Sequence, residues 1–230
     1  MRWNGHSNLK GQHALFAPSQ SISIINAKRP NEAVNKAMKK FYGRDRVQLG
    51  TELHDFADTR ITLNEKITSK KQLIFDIKDC LLTKYKALDL VPYGMRLVDS
   101  VHYLPDDVFD TLTMYINDAI GFKLDTEITL YYSEHFFGTA DAIGFSKNTL
   151  RIHDLKTGDR PAHMEQLLGY AALFCLEYNF KPSQITTELR LYQHGDVIQF
   201  FPTVEDLLPV IDNFVTVNEA IKKEEEINNE

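Results

Sequence analysis

Asp141, Asp154 and Lys156 are the residues of this chain whose types and spacing best suit bond-breaking chemistry. They lie in "GTADAIGFSKNTLRIHDLKTG", residues 138–158. The stretch reads as a β-hairpin turning on Lys147-Asn148, because asparagine accepts the left-handed backbone that a two-residue turn asks for. Counting outward from Ser146 opposite Thr149, position 145 meets 150, 143 meets 152, and Asp141 meets Asp154. Two carboxylates facing each other with Cβ atoms about 5 Å apart repel and weaken a sheet. A divalent cation between them removes that cost, and carboxylate oxygens suit Mg²⁺ and Mn²⁺ alike. Strand alternation puts Lys156 on the face of Asp154 and turns Leu155 to the other. The ammonium then stands beside the ion without ligating it. A carboxylate pair, an ion that lowers the pKa of bound water and a fixed positive charge are the parts of metal-assisted phosphodiester hydrolysis.

Spacing alone is weak support, since Asp76-Ile77-Lys78 repeats Asp-x-Lys on what reads as the solvated face of a helix. Context separates the two. Asp154 lies on a β-rich segment, follows a strand carrying Gly138-Thr139-Ala140-Asp141, and precedes a helix on which Gln166 and Tyr170 stand four apart and so share one face. That face is expected to overlook the site and touch a nucleic-acid backbone, the plainer alternative being a tyrosine in a sheet-packing stripe with glutamine at its rim.

The elements that must position these residues can be read along the chain. "APSQSISIINAKRP" reads as a short helix capped at Ser19 or Ser21 and stopped by Pro30, and "NEAVNKAMKKFYG" as a second, capped by Asn31 and ended at Gly43. Leu49, Leu53, Phe56 and Ala57 give the apolar stripe of an amphipathic helix, with His54 beside it. Residues 70–88 and 105–120 continue in helical style. After Gly121, "DTEITLYYS", "FFGTADAIGF" and "TLRIHDLKT" read as a three-stranded meander. A long apolar helix opened by Pro161, two strands around His194-Gly195-Asp196, and a polar-faced helix from residue 203 to about 226 complete the order. This predicts an α+β fold, a central mixed sheet flanked by helices with a helical N-terminal elaboration.

With 230 residues, 43% hydrophobic, the chain can bury one sizeable core, which predicts a single domain over 1–230. Its parts are a mainly helical 1–120 with the His54 helix, a catalytic sheet and Gln-Tyr helix over 121–203, and a C-terminal helix and acidic tail over 204–230. No apolar run approaches the roughly 20 residues of a membrane span and no secretory leader is evident, so cytoplasm is the expected location and no membrane partner is expected. Cys80 and Cys175 lie far apart without ligand spacing, which reads as two buried free thiols rather than a zinc or iron-sulfur site. The net charge of -6 argues against a surface that attracts nucleic acid everywhere. Its distribution is uneven: residues 1–60 hold ten Lys/Arg against five acids, while 204–230 hold two against eight. A basic first quarter suits phosphate contacts, and solvated helix faces at both ends are the alternative.

Taken together, "GTELHDFAD", "GTADAI", "HDLKTG" and "QLLGYA" resemble, in order over residues 50–170, the motifs of the PD-(D/E)XK nuclease superfamily, in its RecB-like branch of bacterial and phage exonucleases. The resemblance implies a restriction-endonuclease-like α/β/α core. It implies that His54, Asp141, Asp154 and the backbone carbonyl of Leu155 hold one or two Mg²⁺ or Mn²⁺ ions, with Glu127 reaching a second. Lys156 becomes the catalytic lysine beside catalytic Asp141 and Asp154, and Gln166 and Tyr170 contact DNA. The absence of a cysteine quartet implies no iron-sulfur cluster. The expected activity is a metal-dependent deoxyribonuclease, an exonuclease on linear DNA, phage-encoded and working beside a recombination or replication protein in the host cytoplasm. The alternatives are a structure-specific or nicking endonuclease with the same site, or a non-catalytic DNA-binding protein that keeps the fold.

Overall fold

The structure, a computed structural model, describes residues 30–43, 45–158 and 163–228. Five helices come first: α1 (Pro30–Gly43), α2 (Arg46–Thr62), α3 (Lys70–Ala87), α4 (Val91–Val101) and α5 (Asp106–Phe122). Strands β1 (Asp125–Ser133), β2 (Phe136–Ser146) and β3 (Thr149–Leu155) follow, then α6 (Met164–Glu177), a 3₁₀ turn, β4 (Thr186–Gln193), β5 (Asp196–Phe200) and α7 (Val204–Asn228). The fold is α+β, with one five-stranded sheet in the order β1-β2-β3-β4-β5. All neighbours are antiparallel except β3 and β4, which run parallel with α6 as their crossover. A parallel pair needs such a crossover, which is why the chain leaves the sheet after Leu155.

Helices cover both faces. On one, Leu167, Ala171 and Phe174 of α6 and Leu207 of α7 pack on Leu130, Ile143, Leu150, Ile152, Leu189 and Leu191. On the other, α2, α3, α4 and α5 bury a larger cluster against Ala142, Leu155 and Tyr192. Leu49, Leu53, Phe56 and Ala57 are buried, as their helical spacing predicts, and Ile61 extends the stripe by one turn.

The meander matches its expected bounds, and Lys147 and Asn148 both take positive φ, the geometry of a type I′ hairpin turn. His194 and Gly195 do the same between β4 and β5. Three readings need correction. Pro30 does not stop a helix but is the first residue of α1, where its missing N–H costs nothing, so Asn31 lies inside the helix rather than capping it. Helix α4 was not expected from the sequence: Pro92 sits in its first turn, and Gly94 interrupts its apolar pattern because a Cβ there would come within 2.6 Å of Tyr85 Cβ. Cys80 is exposed and only Cys175 is buried. The helix expected to be capped at Ser19 or Ser21, and Pro161 as the opener of α6, fall outside the described residues; α6 itself begins at Met164. Among the described residues no helix is long and apolar enough to cross a membrane.

Candidate active site

A cleft of about 990 Å³ opens between the N-terminal turns of α2 and the sheet. Arg46, Gly50, His54 and Asp55 line it from the helix, Glu127 and Asp141 from β1 and β2, and Lys156, Thr157 and Gly158 from the segment after β3. Gly50 is there for proximity, since a Cβ at that position would stand 3.2 Å from Thr157 Oγ1.

The β1–β2 hairpin changes face at this cleft. Thr126 Oγ1 donates to Asp58 of α2, yet Ile128, two residues on, packs in the α6 layer. Ala142 likewise lies in the core beside α2 and α5, and Ala140 in the α6 layer. Pairing nevertheless runs Thr126↔Ala142 and Ile128↔Ala140, which puts Glu127 across from Asp141 at the break. Glu127 has φ 53, a left-handed backbone that costs an L-residue about 1–2 kcal/mol. Local irregularity of this kind re-aims side chains and gathers at functional sites.

The β2–β3 register follows the expected count as far as Ala142↔His153 and then stops. Asp141 therefore does not form the ladder pair with Asp154 that the count predicts. Its carboxylate reaches over instead, Oδ2 accepting the Leu155 amide at 2.9 Å. It is the amide of Leu155 that touches an expected metal ligand. His54 Nδ1 lies 3.6 Å from the same Oδ2.

Asp154 sits behind the cleft wall, 1% exposed. Lys156 Nζ donates to its Oδ1 at 3.0 Å and lies 2.8 Å from Oδ2, without the geometry of a hydrogen bond to the latter, which has no other partner. Burial, then the negative charge of Asp141, raises the Asp154 carboxyl to about 6, while Lys156 pulls the other way. Burial pushes His54 below its ordinary value, with Lys156 adding to this and Asp141 opposing, so its imidazole stays neutral with a lone pair to offer. The Glu127 carboxyl is raised by its partial burial and by Asp141, Asp58 and Asp55. Beneath them Tyr115 of α5 is held well above its ordinary value by burial, with Asp141, Asp154 and Glu127 all contributing. Asp141, Asp154 and Glu127, with Asp55 and Asp58 of α2 beside them, thus share one neighbourhood with the Lys156 ammonium.

These donors fit a hard divalent cation. Two carboxylates, one with a buried oxygen lacking a hydrogen bond, and a neutral imidazole make a suitable set. The donor atoms of His54, Asp141 and Asp154 do not all lie within 4.8 Å of one another; among the described residues the group of three that meets that spacing is Glu134, His135 and Glu225, the first two exposed at the β1–β2 turn and the third half-buried on α7. An ion shared by His54, Asp141 and Asp154 therefore requires those side chains to draw together.

Gln166 and Tyr170 are joined, Gln166 Nε2 donating to Tyr170 Oη at 3.2 Å. They do not line the cleft. Tyr170 lies over Gly138, where a Cβ would come within 2.9 Å of its ring, so that glycine serves helix packing rather than the site.

Sequence reasoning missed the part-buried charge network beside Asp154. Glu188 bridges Arg151 at 2.8 Å and Arg190 at 2.7 Å, Arg190 and the Tyr192 hydroxyl both donate to Asp118 at 2.8 Å, and both guanidinium groups lie over the Phe122 ring. His153, at the end of this network, is fully buried and pushed down to about 3, first by burial and then by the two arginines. The network ties β3, β4 and α5 together, and Tyr192 O in turn accepts the Lys156 amide at 2.9 Å. Only the alternation of Arg151 and His153 on one strand and of Glu188 and Arg190 on the next hinted at it.

Comparison with protein-family models, with curated proteins and with solved structures finds no match. What fold and geometry define is an α+β chain with a cleft where acids, a lysine and a histidine converge.

Proposed function

We propose that this chain is a divalent-metal-dependent deoxyribonuclease of PD-(D/E)XK type, hydrolysing phosphodiester bonds of linear DNA from an end. The observation that carries the reading is the convergence of Asp141, Lys156 and His54 from three separate elements on one cleft, with Asp154 buried behind its wall and paired with Lys156. The β2–β3 hairpin accounts for Asp141 approaching Asp154 and Lys156, but not for His54 of α2 meeting Asp141.

Asp141 and Asp154, with His54, would hold Mg²⁺ or Mn²⁺, and Glu127, which lines the same cleft, would add a further carboxylate. Such an ion supplies a nucleophile at neutral pH by lowering the pKa of bound water, and neutralises phosphate charge. The protein residues do the rest. The Leu155 amide fixes the Asp141 carboxylate. Bonding of the Lys156 amide to Tyr192 anchors the lysine backbone, so its ammonium is preorganised beside Asp154 and free to turn to the charge that develops on a phosphate. Asp154, at about 6, is mostly ionised at pH 7 and above.

The test is incubation of the 230-residue chain with end-labelled linear duplex and closed-circular duplex, in Mg²⁺, in Mn²⁺ and in chelator, beside Asp154→Asn. Degradation of linear DNA alone, requiring metal and Asp154, is the expected result. Cutting of the circle replaces end digestion with internal cleavage. No hydrolysis of either DNA under any condition refutes the reading.

A further inference from the structure

We infer that Tyr131 and Phe137 form a stacking platform for unpaired bases, so that single-stranded nucleic acid is what the cleft receives beside its carboxylates. The choice of occupant rests on the nuclease reading above. The two residues are cross-strand partners, their rings 6.4 Å apart between centroids and 28° from parallel. They are 52% and 61% exposed, so the pair does not cover itself as a purely structural aromatic pair would.

Their face is set by the break at Glu127 and Asp141. With Thr126 turned to α2, regular alternation would send Ile128, Leu130 and Tyr132 to the α2 side and Tyr131 into the α6 layer. The break reverses this. Ile128, Leu130 and Tyr132 pack under α6, and Gly138 faces Tyr170 of that helix, so Thr129, Tyr131, Phe137 and Thr139 all point to the side on which the cleft lies. The strained residue that brings two carboxylates together is thus the one that turns two aromatic rings to their side.

From Asp141 to Phe137 is four residues of strand, about 13 Å at the usual rise. The intervening Thr129 and Thr139 are exposed, with hydroxyls 2.9 Å apart, giving a small polar floor between the cleft and the rings. Carboxylates with a metal would engage a backbone phosphate, the hydroxyls suit sugar and phosphate oxygens, and flat exposed rings suit base faces. Paired bases inside a duplex cannot present those faces, whereas aromatic stacking is the common, sequence-tolerant mode of single-strand binding.

The test measures binding by fluorescence anisotropy in chelator, where no hydrolysis intervenes, using a labelled oligothymidylate of about 12 nucleotides and a blunt duplex of the same length. Tyr131→Ala with Phe137→Ala should weaken oligothymidylate binding at least about tenfold, with little change for the duplex. Tyr131→Trp with Phe137→Trp should keep or raise affinity, and Phe75→Ala, which removes an exposed ring from α3, should change nothing. Thermal melting of each variant separates lost binding from lost folding. The platform is overturned if the unaltered chain does not prefer oligothymidylate, or if the folded double-alanine variant binds it undiminished. Hydrolysis assays on the same preparations judge the nuclease reading separately: binding that depends on the rings without cleavage in any metal keeps the platform and rejects the nuclease.

Discussion

Glu127 stands across the β1–β2 hairpin from Asp141 at the position where both strands exchange their inward and outward faces. A left-handed backbone at a glutamate is a cost the fold carries at this one edge of the cleft. Glycine adopts that backbone freely. Glu127→Gly should therefore be more stable than Glu127→Ala by about 1 kcal/mol in urea titration, both variants having lost the same charge. Both should hydrolyse DNA more slowly than the parent.

Asp154 predicts an unusual pH response. Its carboxyl is raised from 3.8 to about 6, so the folded state favours the protonated form. The stability this contributes is complete below pH 4 and is lost as pH rises through 6. Asp154→Asn, which never ionises, should match the metal-free parent below pH 4 and exceed it at pH 8 by roughly 1–3 kcal/mol, the loss of the Lys156 pair offsetting part of the gain. Thermal melts across that pH range measure it. Equal melting temperatures at pH 8 contradict the account.

Metal binding should act on the same group in the opposite direction. Millimolar Mg²⁺ or Mn²⁺ should raise the melting temperature of the parent, by the equivalent of about 2.7 kcal/mol at a hundredfold excess over Kd. Asp141→Asn and Asp154→Asn should show no such rise. A shift that survives both substitutions would place the ion elsewhere, and Glu134, His135 and Glu225 are where to look next.

Lys156→Met should lower the single-turnover rate about 10²–10³-fold while leaving DNA affinity nearly unchanged, as expected for a charge that serves the transition state. Lys156→Arg should not restore it, because a planar fork on a longer stem cannot reproduce a point charge beside a carboxylate.

Gly138→Val tests what lies under α6. A branched side chain must displace the Tyr170 ring, at a cost of about 1–3 kcal/mol. Hydrolysis per folded molecule should be retained, because neither Gly138 nor Tyr170 lines the cleft.

Much of this was legible from residue order. The helical stripe of Leu49, Leu53, Phe56 and Ala57, the meander and the Lys147-Asn148 turn all follow from local periodicity and turn chemistry, and the register carried the count to within one residue of Asp141. What it could not show is tertiary. A left-handed Glu127 has no signature, since glutamate is not a residue that signals positive φ, and the face change it causes defeats any alternation count past it. The same limit applies to Gln166 and Tyr170. Four-residue spacing puts them on one face of α6, but only the packing of α6 over Gly138 decides which way that face looks.

The cleft has one wall from α2, in the helical first half, and the other from strands and the turn after β3. A ribosome making this chain releases His54 long before the carboxylates and lysine it will meet. Until β3 has emerged and paired, no arrangement of the nascent segment can bring those groups together, and a truncated product of the first half has no chemistry to release in the cell. The order of synthesis itself keeps the proposed hydrolytic centre silent until β3 and the lysine after it have been made.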